Sequence, residues 1–410
     1  MTQQLSFPKE KIRLLLLEGI HAAAEDRFRS SDYSVIQKEN GSLSEEQLLR
    51  AIPEVHILGI RSKTVVSARV LEAAQHLLAI GCFCIGTDQV QLETATRRGI
   101  AVFNAPFSNT RSVAELTIAD VVMLARHAVQ RCMEMHAGRW EKSARGCFEV
   151  RHKTIGIVGY GHIGPQVGLL AEALGMRVIF HDIAKKLPLG NAYQAADLDE
   201  VLKGSDFVTL HVPDTPLTRK MIGWDQIALM RRGSFLLNLS RGSVVEIPAL
   251  RHAILEGHLA GAAVDVYPEE PETSGTPFVS ELLGLPNVIL TPHIGGSTEE
   301  AQHNIGLEVS ETLIRYMDMG SSTGSVNLPQ VDLPVLQDSH RVLNIHKDVP
   351  GVLGGINGLV AAMGVNIKAQ YLNTRNGVGY LIMDVERSLS RAVKKKIEAL
   401  DTNIRTRLLF

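Results

Sequence analysis

Three polar residues with complementary chemistry stand directly after predicted strands in the second half of the chain. They are Arg241 in Asn-Leu-Ser-Arg-Gly, Glu270 in Asp-Val-Tyr-Pro-Glu-Glu-Pro, and His293 in Thr-Pro-His-Ile-Gly-Gly. A histidine exchanges a proton near neutral pH, a carboxylate beside it stabilises the imidazolium, and a guanidinium binds a carboxylate through two parallel hydrogen bonds. The set therefore predicts proton transfer at the hydroxyl of a hydroxy acid, with Glu269 as the alternative to Glu270.

The position of these residues along the predicted strands favours a shared site. Ligands of open parallel sheets bind at the carboxyl edge of the strands, and all three residues lie beyond that edge. Ser240 and Asp265 border the same edge. Asp265 has two interpretations, because it either accepts a hydrogen bond from a nicotinamide carboxamide or is a turn residue. A single histidine is usually structural or solvated, so it is the combination that predicts catalysis.

A glycine-rich motif, Gly159-Tyr-Gly-His-Ile-Gly, follows a β-branched run and precedes a helical pattern. Gly159 permits a tight turn, Gly161 lets the backbone approach a pyrophosphate, and Gly164 lets helix and strand pack closely. The start of the helix then offers free amides to the phosphates. Asp182 follows the next predicted strand and is placed to bind the ribose hydroxyls, which favours NAD over NADP. The alternative for Asp182 is a solvated loop residue.

Short apolar runs alternate with helical patterns along most of the chain, which predicts parallel sheets with helices on their faces. The first hundred residues predict strands at 11–17, 33–37, 55–60, 77–80 and 101–104. A second α/β unit begins at Lys153 and predicts strands at 154–158, 177–180, 207–210, 234–239, 261–266 and 288–290.

Three further segments complete the predicted organisation. Ser112 and Glu115 fit a capping box at the start of a long, buried helix that reaches about residue 129. A helical pattern from Ser297 to about Met319 is followed by Gly-Ser-Ser-Thr-Gly-Ser at 320–325, whose composition predicts a flexible linker. The last ~70 residues predict elements in the order βαββαβ, as in a separate small domain.

Composition excludes several classes of protein. The formal net charge is −2 and no long run of Lys or Arg occurs, so neither nucleic acid nor an anionic membrane is expected as a partner. The chain has no apolar stretch of about 18 residues, the length of a membrane span. The four cysteines match no zinc spacing, so no metal site is expected. Free thiols, together with a start that lacks a signal-peptide pattern, predict a cytoplasmic protein.

The motifs around these residues resemble the D-isomer-specific 2-hydroxyacid dehydrogenases. Two segments, starting at Ala79 (Ala-Ile-Gly-Cys-Phe-Cys-Ile-Gly-Thr) and at Asn104 (Asn-Ala-Pro-Phe-Ser-Asn-Thr-Arg-Ser-Val-Ala-Glu), are similar to the short bacterial and fungal phosphoglycerate dehydrogenases in that family. The resemblance covers essentially the whole chain and implies a catalytic set of Arg241, Glu270 and His293. It implies NAD contacts at His162, Ile163, Asp182, Leu239, Ser240, Arg241, Asp265, His293, Ile294, Gly295 and Gly296.

The resemblance also implies a substrate, 3-phosphoglycerate, which is oxidised reversibly. It implies substrate contacts at Arg61, Ser62 and Asn109, and at Trp140 and Lys142 from a neighbouring subunit. Spacing alone would make Trp140 a core or interface residue and Lys142 a solvated charge. 2-Oxoglutarate is an expected side substrate, because it too has a second anionic end. The alternative functions are reduction of glyoxylate or hydroxypyruvate, and a non-enzymatic NADH-sensing scaffold, against which the folded C-terminal unit argues.

The family fold is α/β with two doubly wound parallel-sheet domains. A flavodoxin-like substrate domain at 1–108 and 297–335 is interrupted by a Rossmann NAD domain at 109–296. The βαββαβ unit at 339–410 resembles an ACT regulatory domain, and the resemblance implies a homotetramer through NAD-domain and ACT-domain pairings.

The ACT resemblance implies L-serine as an effector. The positions that would hold it are His346, Asp348 and Asn366. Relatives usually have Asn where this chain has Asp348, and a carboxylate cannot donate a hydrogen bond to the serine carboxylate. Asp348 has a second interpretation as the cap of a helix that begins near Pro350.

Overall fold

The computed structural model describes residues 8–271 and 275–409, and these residues form two compact units. The first unit contains the described residues up to Ser108 together with those from Gln302 onward, and the second runs from Asn109 to Ala301. Among the described residues, no helix is both long and apolar enough to cross a membrane.

Strands and helices are numbered in chain order. The strands are β1 (Arg13–Leu16), β2 (Val35–Lys38), β3 (Ile57–Ile60), β4 (Ala79–Cys82), β5 (Ala101–Asn104), β6 (Thr154–Val158), β7 (Arg177–His181), β8 (Tyr193–Gln194), β9 (Phe207–Leu210), β10 (Ser234–Asn238), β11 (Leu259–Val264), β12 (Val288–Leu290), β13 (His340–Lys347), β14 (Ile367–Arg375), β15 (Val378–Val385) and β16 (Asn403–Leu409). The α-helices are α1 (Ala22–Arg29), α2 (Glu45–Ala51), α3 (Ala68–Ala73), α4 (Leu92–Arg97), α5 (Thr110–Ala125), α6 (Ala128–His136), α7 (Ile163–Ala173), α8 (Leu198–Gly204), α9 (Trp224–Leu229), α10 (Ile247–Leu255), α11 (Glu299–Met319), α12 (Val352–Ala362) and α13 (Ser390–Glu398).

The first unit contains a parallel sheet in the order β2-β1-β3-β4-β5, which confirms the flavodoxin-like arrangement. Every residue of β3 and β4 is buried, as expected for parallel strands that helices cover on both faces. Gly81 in β4 lets α11 lie directly on the sheet, because a Cβ atom there would come within 2.7 Å of Val309 and Leu313.

The second unit contains a parallel sheet in the order β12-β11-β10-β9-β6-β7-β8, which confirms the Rossmann arrangement. The chain builds β6, β7 and β8 towards one edge and then returns to place β9 on the other side of β6. A crevice opens at the carboxyl ends of the strands where the direction of winding reverses, and nucleotides bind in such crevices. The glycine motif directly follows β6 and therefore lies at this point.

The long helix predicted after residue 112 starts and ends earlier than expected. α5 begins two residues before Ser112, so the predicted capping box of Ser112 and Glu115 is wrong. The Ser112 hydroxyl instead shares a hydrogen bond of 2.9 Å with Thr298 Oγ1, and Glu115 forms an ion pair with Arg111 at 2.6 Å. His127 then adopts a left-handed conformation (φ 51°), which separates α5 from α6.

The C-terminal residues form an antiparallel sheet in the order β14-β15-β13-β16, which confirms the predicted βαββαβ order. Side chains alternate between the two faces of β13. Val342 packs in a core with buried residues of α12 and α13. Leu343 and Ile345 belong instead to the core that contains Tyr316 and Met317 of α11. Both faces of β13 are therefore buried within the first unit.

The segment at 320–325 is not the flexible linker that its composition predicts. Its three serines are all buried. Ser322 Oγ donates a hydrogen bond of 2.6 Å to the Pro329 carbonyl, and Tyr380 Oη donates one of 2.6 Å to the Gly320 carbonyl. The prediction was wrong because composition does not reveal that Tyr380, on a distant strand, provides a partner for this backbone.

A buried arginine on β13 connects the C-terminal sheet to the backbone before and after this segment. Arg341 forms two hydrogen bonds to the Asp384 carboxylate, from Nε at 2.7 Å and from Nη2 at 2.8 Å. Its remaining N–H groups donate to the carbonyls of Met319, Leu333 and Pro334 at 3.0, 2.8 and 2.7 Å. One guanidinium therefore satisfies a buried carboxylate and three backbone carbonyls.

Replacing this guanidinium should destabilise the protein strongly. We expect Arg341→Ala to lower the free energy of unfolding by about 3–5 kcal/mol, because Asp384 would retain a buried and uncompensated charge. Urea denaturation measures the change. The control is Arg315→Ala, which breaks the exposed ion pair with Asp332 and should cost less than about 1 kcal/mol. Equal, small losses in both variants would contradict this account.

Candidate active site

The glycine loop after β6 has the shape that a dinucleotide requires. Gly159 has a φ of 93°, and a Cβ atom there would lie 2.5 Å from the His211 carbonyl oxygen. A Cβ atom at Gly164 would lie 2.5 Å from the Gly159 carbonyl oxygen. A Cβ atom at Gly161, by contrast, would meet no atom within 4 Å. Two glycines thus allow close packing, and the third leaves the loop open where a pyrophosphate would approach.

The helix that follows the loop presents its N-terminus to the same place. His162 is the N-cap residue of α7, and Ile163 is the first helical residue. Asp182 follows β7, where Oδ2 accepts a hydrogen bond of 2.9 Å from the Tyr160 amide and Oδ1 accepts one of 2.9 Å from the Ala184 amide. Asp182 therefore binds the glycine loop itself and is more than a solvated loop residue. Its unused lone pairs remain available to ribose hydroxyls.

The histidine and the carboxylate that the sequence proposes are in direct contact. His293 Nδ1 lies 2.8 Å from Glu270 Oε2. Glu270 Oε1 also accepts a hydrogen bond of 3.1 Å from the Tyr267 amide, which fixes the orientation of the carboxylate. Glu270, and not its neighbour Glu269, is thus the partner of His293. Because Nδ1 is occupied, Nε2 is the ring atom left to exchange a proton.

A buried carboxylate shapes the turn that carries this histidine. Asp265 Oδ1 accepts hydrogen bonds from Thr291 Oγ1 at 2.6 Å and from the Ile294 amide at 2.8 Å, while Oδ2 accepts one from the Gly295 amide at 2.8 Å. The Asp265 carbonyl also accepts a hydrogen bond of 2.8 Å from the His293 amide. His293 has a φ of 56°, in the left-handed region. These contacts show that Asp265 organises the turn, and its contact with a nicotinamide carboxamide stays a prediction.

Arg241 projects from the turn after β10, which an asparagine organises. Asn238 Oδ1 accepts hydrogen bonds from the Ser240 amide at 3.1 Å and from the Ser240 hydroxyl at 2.8 Å, and Asn238 Nδ2 donates to the Arg241 carbonyl at 3.0 Å. Leu239 is buried between them. Sequence analysis missed Asn238, whose signal was an amide at the end of a buried strand.

The implied substrate residues lie in both units. Arg61 and Ser62 follow β3 in the first unit, and Asn109, Trp140 and Lys142 belong to the second. A Cβ atom at Gly296 would lie 2.2 Å from Asn109 Nδ2, so the Asn109 amide packs against the turn that carries His293.

The side chain of Trp140 is 77% exposed, so the core interpretation of this residue is wrong. The interface alternative stays a prediction. Lys142 is exposed, as a solvated charge would be.

The implied effector residues lie at opposite ends of the C-terminal sheet. His346 and Asp348 are at the end where β13 pairs with the start of β15, whereas Asn366 precedes Ile367, which pairs with Val385 at the other end. Within one chain the three residues are therefore not brought together. His346 is buried, and its Nδ1 lies 2.8 Å from Asn344 Oδ1. Asp348 and Asn366 are both exposed. Gly351 is the N-cap residue of α12, so the interpretation of Asp348 as a helix cap is wrong.

Comparison with known proteins places the chain in a family. The D-isomer specific 2-hydroxyacid dehydrogenase family, NAD binding domain, matches residues 118–295, and the AHAS small subunit-like ACT domain matches residues 343–405. The chain is 52% identical to a D-3-phosphoglycerate dehydrogenase of Dictyostelium discoideum over 100% of both chains. It is 51% identical to that of Escherichia coli strain K12 over 99% of this chain and 100% of the relative. The chain belongs to the D-3-phosphoglycerate dehydrogenase family.

The solved structures agree with this placement. A D-lactate dehydrogenase from Aquifex aeolicus, complexed with NAD and lactic acid, is 25% identical and superposes with a TM-score of 0.67, covering 74% of this chain and 95% of its own. A glyoxylate reductase from Paecilomyes thermophila is 27% identical with a TM-score of 0.67, covering 75% and 96%. The expected dehydrogenase class and NAD as the cofactor are confirmed.

In this chain, His293 and Glu270 shift each other's pKa. The hydrogen bond to Glu270 raises the pKa of His293 above its ordinary value, although burial acts in the opposite direction. Burial acts to raise the pKa of Glu270, but the hydrogen bond and charge of His293 lower it overall. The positive charge of Arg241 opposes protonation of His293 and favours ionisation of Glu270. The pair therefore holds an added proton on His293 more firmly than an isolated histidine would.

The rate of alcohol oxidation should rise with pH through the raised pKa of His293, because oxidation needs the unprotonated ring. The stability that the pair contributes is present below the ordinary histidine pKa and is lost as pH rises through the raised one. We expect Glu270→Gln to move the rising limb of kcat/KM to lower pH and to reduce turnover, because the carboxylate no longer stabilises the imidazolium.

The control for this pH profile is Glu269→Gln, which should leave the limb in place. Asp120 also titrates in this range, since burial and then the charge of Asp265 raise its pKa to about 7. Asp120 is unchanged in both variants, so the difference between them isolates His293. If the rising limb of kcat/KM stays at the same pH in Glu270→Gln, the limb does not report the titration of His293.

Proposed function

We propose that the protein catalyses the reversible oxidation of 3-phosphoglycerate to 3-phosphohydroxypyruvate with NAD, the first step of the phosphorylated route to L-serine. One observation carries the proposal. His293 and Glu270 are hydrogen-bonded at 2.8 Å, on turns that follow neighbouring strands of the NAD-binding sheet. The full-length identity to proteins named D-3-phosphoglycerate dehydrogenase supports the choice of substrate.

Each catalytic residue has one task in this proposal. Arg241 binds the substrate carboxylate through its guanidinium. His293 Nε2 accepts the proton of the substrate hydroxyl, and Glu270 stabilises the imidazolium that results. When bound, NAD supplies the acceptor for the hydride that leaves the hydroxyl-bearing carbon. The C–H and O–H bonds break, a C=O bond forms, and the reverse reaction returns the proton from His293.

Two basic residues would bind the phosphate of the substrate. Arg61 of the first unit and Lys142, in the family from a neighbouring subunit, are the side chains we assign to it. These positive charges would also bind the second carboxylate of 2-oxoglutarate. Reduction of 2-oxoglutarate to 2-hydroxyglutarate is therefore the expected side activity.

Loss of the His293 imidazole should lower the rate of the chemical step without changing cofactor binding. We expect His293→Ala to lower kcat by about 100–10,000-fold, the range of general acid–base catalysis, while NADH affinity changes little. Steady-state kinetics with 3-phosphoglycerate and fluorescence titration with NADH measure the two effects. The control is His252→Ala on α10, which is exposed and should leave both values near those of the wild type. A fully active His293→Ala would end this assignment.

The substrate itself is tested with the unmodified protein. Rates with 3-phosphoglycerate, 2-oxoglutarate, glyoxylate and hydroxypyruvate are compared at equal concentrations. A higher kcat/KM for glyoxylate than for either dianionic acid would identify a different hydroxyacid dehydrogenase. No turnover of any of the four would favour the NADH-sensing scaffold.

We further propose that the protein is a cytoplasmic homotetramer that L-serine inhibits through the C-terminal sheet. The ACT match supports an amino-acid effector. Large apolar side chains exposed in the single chain, Met133, Met135 and Trp140, support subunit contacts through the region after α5.

Serine inhibition should be weak and should strengthen when the carboxylate at position 348 is removed. We expect Asp348→Asn to lower the serine concentration for half-inhibition by about tenfold, because one donor replaces one repulsive charge against the serine carboxylate. Inhibition curves at fixed 3-phosphoglycerate measure the shift, with the exposed Asp401→Asn as control. Equal curves for the two variants would remove Asp348 from the effector site.

A further inference from the structure

A buried carboxylate in the first unit binds the loop that follows β3. Glu18 lies two residues after β1 and is not among the site residues that the sequence predicts. Its Oε1 accepts hydrogen bonds from the amides of Arg61 at 3.1 Å and Thr64 at 2.8 Å, and its Oε2 accepts one from the Lys63 amide at 3.0 Å. A single side chain thus holds the backbone of the loop that carries Arg61 and Ser62.

The conformation of Glu18 shows that the surrounding structure maintains this contact. Its φ is 61°, in the left-handed region that a residue with a Cβ atom rarely adopts. Its own amide donates a hydrogen bond of 3.1 Å to the Gly41 carbonyl, which anchors it from the other side. Such backbone strain costs about 1–3 kcal/mol and persists only where other interactions over-determine it. The three hydrogen bonds from amides to a charged oxygen are interactions of that size.

Only a carboxylate can form this set of bonds. All three loop groups are N–H donors, and an ionised carboxylate offers acceptors on both oxygens and no donor. A glutamine would place an NH2 group against at least one of the amides. The contact therefore depends on the charge and shape of Glu18, because an amide side chain of the same length cannot reproduce it.

A second side chain holds the same loop through Arg61. Gln89 Nε2 donates a hydrogen bond of 2.6 Å to the Arg61 carbonyl. The peptide groups on both sides of Arg61 are therefore bound, the amide by Glu18 and the carbonyl by Gln89. The guanidinium also lies near this support, since Nη1 donates to the Glu18 carbonyl at 3.4 Å.

We infer that Glu18 is a positioning residue for substrate recognition: it fixes the loop of residues 61–64 so that Arg61 and Ser62 are held ready for the anionic end of the substrate. This inference rests on the proposed function, which assigns those two residues to the substrate. Glu18 itself does not bind the substrate, because a negative charge there repels an anion. Its role is to reduce the conformational freedom that the loop would otherwise lose on binding.

The test compares Glu18→Gln with Glu54→Gln, a change of the same type at an exposed residue paired with Arg13. We expect Glu18→Gln to raise the KM for 3-phosphoglycerate by about tenfold, since a disordered loop lowers the fraction of protein competent to bind. The kcat should change by less than about threefold and NADH affinity should not change, because the groups that transfer the proton are untouched. Glu54→Gln should match the wild type.

A double-mutant cycle distinguishes positioning from a general structural effect. In an Arg61→Ala background, Glu18→Gln should cause little further rise in KM, because both changes remove the same interaction with the substrate. Additive effects would overturn the inference, as would an unchanged KM in the single variant. If Glu18→Gln fails to fold, Gln89→Leu tests the same loop: a raised KM that vanishes in the Arg61→Ala background supports the inference, and an unchanged KM overturns it.

Hydrogen exchange supplies a readout that does not depend on turnover. Amide exchange in residues 61–64 should accelerate in Glu18→Gln and not in Glu54→Gln. A wild-type protein inactive with 3-phosphoglycerate would refute the proposed function, while unchanged exchange in Glu18→Gln would refute only the positioning role of Glu18. The two failures are therefore distinguishable.

Discussion

The geometry of the His293–Glu270 pair depends on the buried carboxylate of Asp265. This residue follows β11 directly, and its side chain binds the start of the chain that leaves β12, through Thr291, Ile294 and Gly295. The turn between these contacts holds His293 in a left-handed conformation. A left-handed residue of this kind costs about 1–3 kcal/mol, and hydrogen bonds to a charged oxygen contribute about 1.5–3 kcal/mol each. The three bonds therefore outweigh the strain that places His293 against Glu270.

The same physical device recurs in the first unit. Glu18 and Asp265 both stand just beyond the carboxyl end of a parallel strand, and both use one carboxylate to bind several backbone amides of a loop. Loops at this edge leave amides that no strand pairs, and an ionised carboxylate has enough lone pairs to bind three donors at once. Arg341 is the converse case, in which one cation binds several carbonyls at the C-terminal sheet. Each of the three charged groups has two or more backbone hydrogen-bond partners, which helps to offset the cost of its burial.

Sequence reasoning succeeded where the signal is local. The β-branched and apolar runs at 154–158, 207–210 and 288–290 are strands with those bounds, because strand formation there follows from the run and its flanking turns. It failed where a polar side chain takes a distant partner. Ser112 bonds to Thr298 and not to its own helix start, and the carbonyl of Gly320 is bound by Tyr380. Glu18 was missed for the same reason, since its three partners lie more than forty residues away along the chain.

Two histidines show how the partner of one ring nitrogen decides what the other can do. Asn344 Nδ2 donates to Asn403 Oδ1 and to Thr406 Oγ1, so its Oδ1 faces His346 and the Nδ1 of that ring is the donor. His293 likewise directs Nδ1 to an oxygen, that of Glu270, and in both rings Nε2 remains as the acceptor.

The partners differ in charge. A carboxylate stabilises an added proton and raises the pKa of His293, whereas a neutral amide gives no such stabilisation and burial lowers the pKa of His346. The first arrangement suits a group that must carry a proton. The second keeps an imidazole neutral, which leaves its Nε2 able to accept a hydrogen bond.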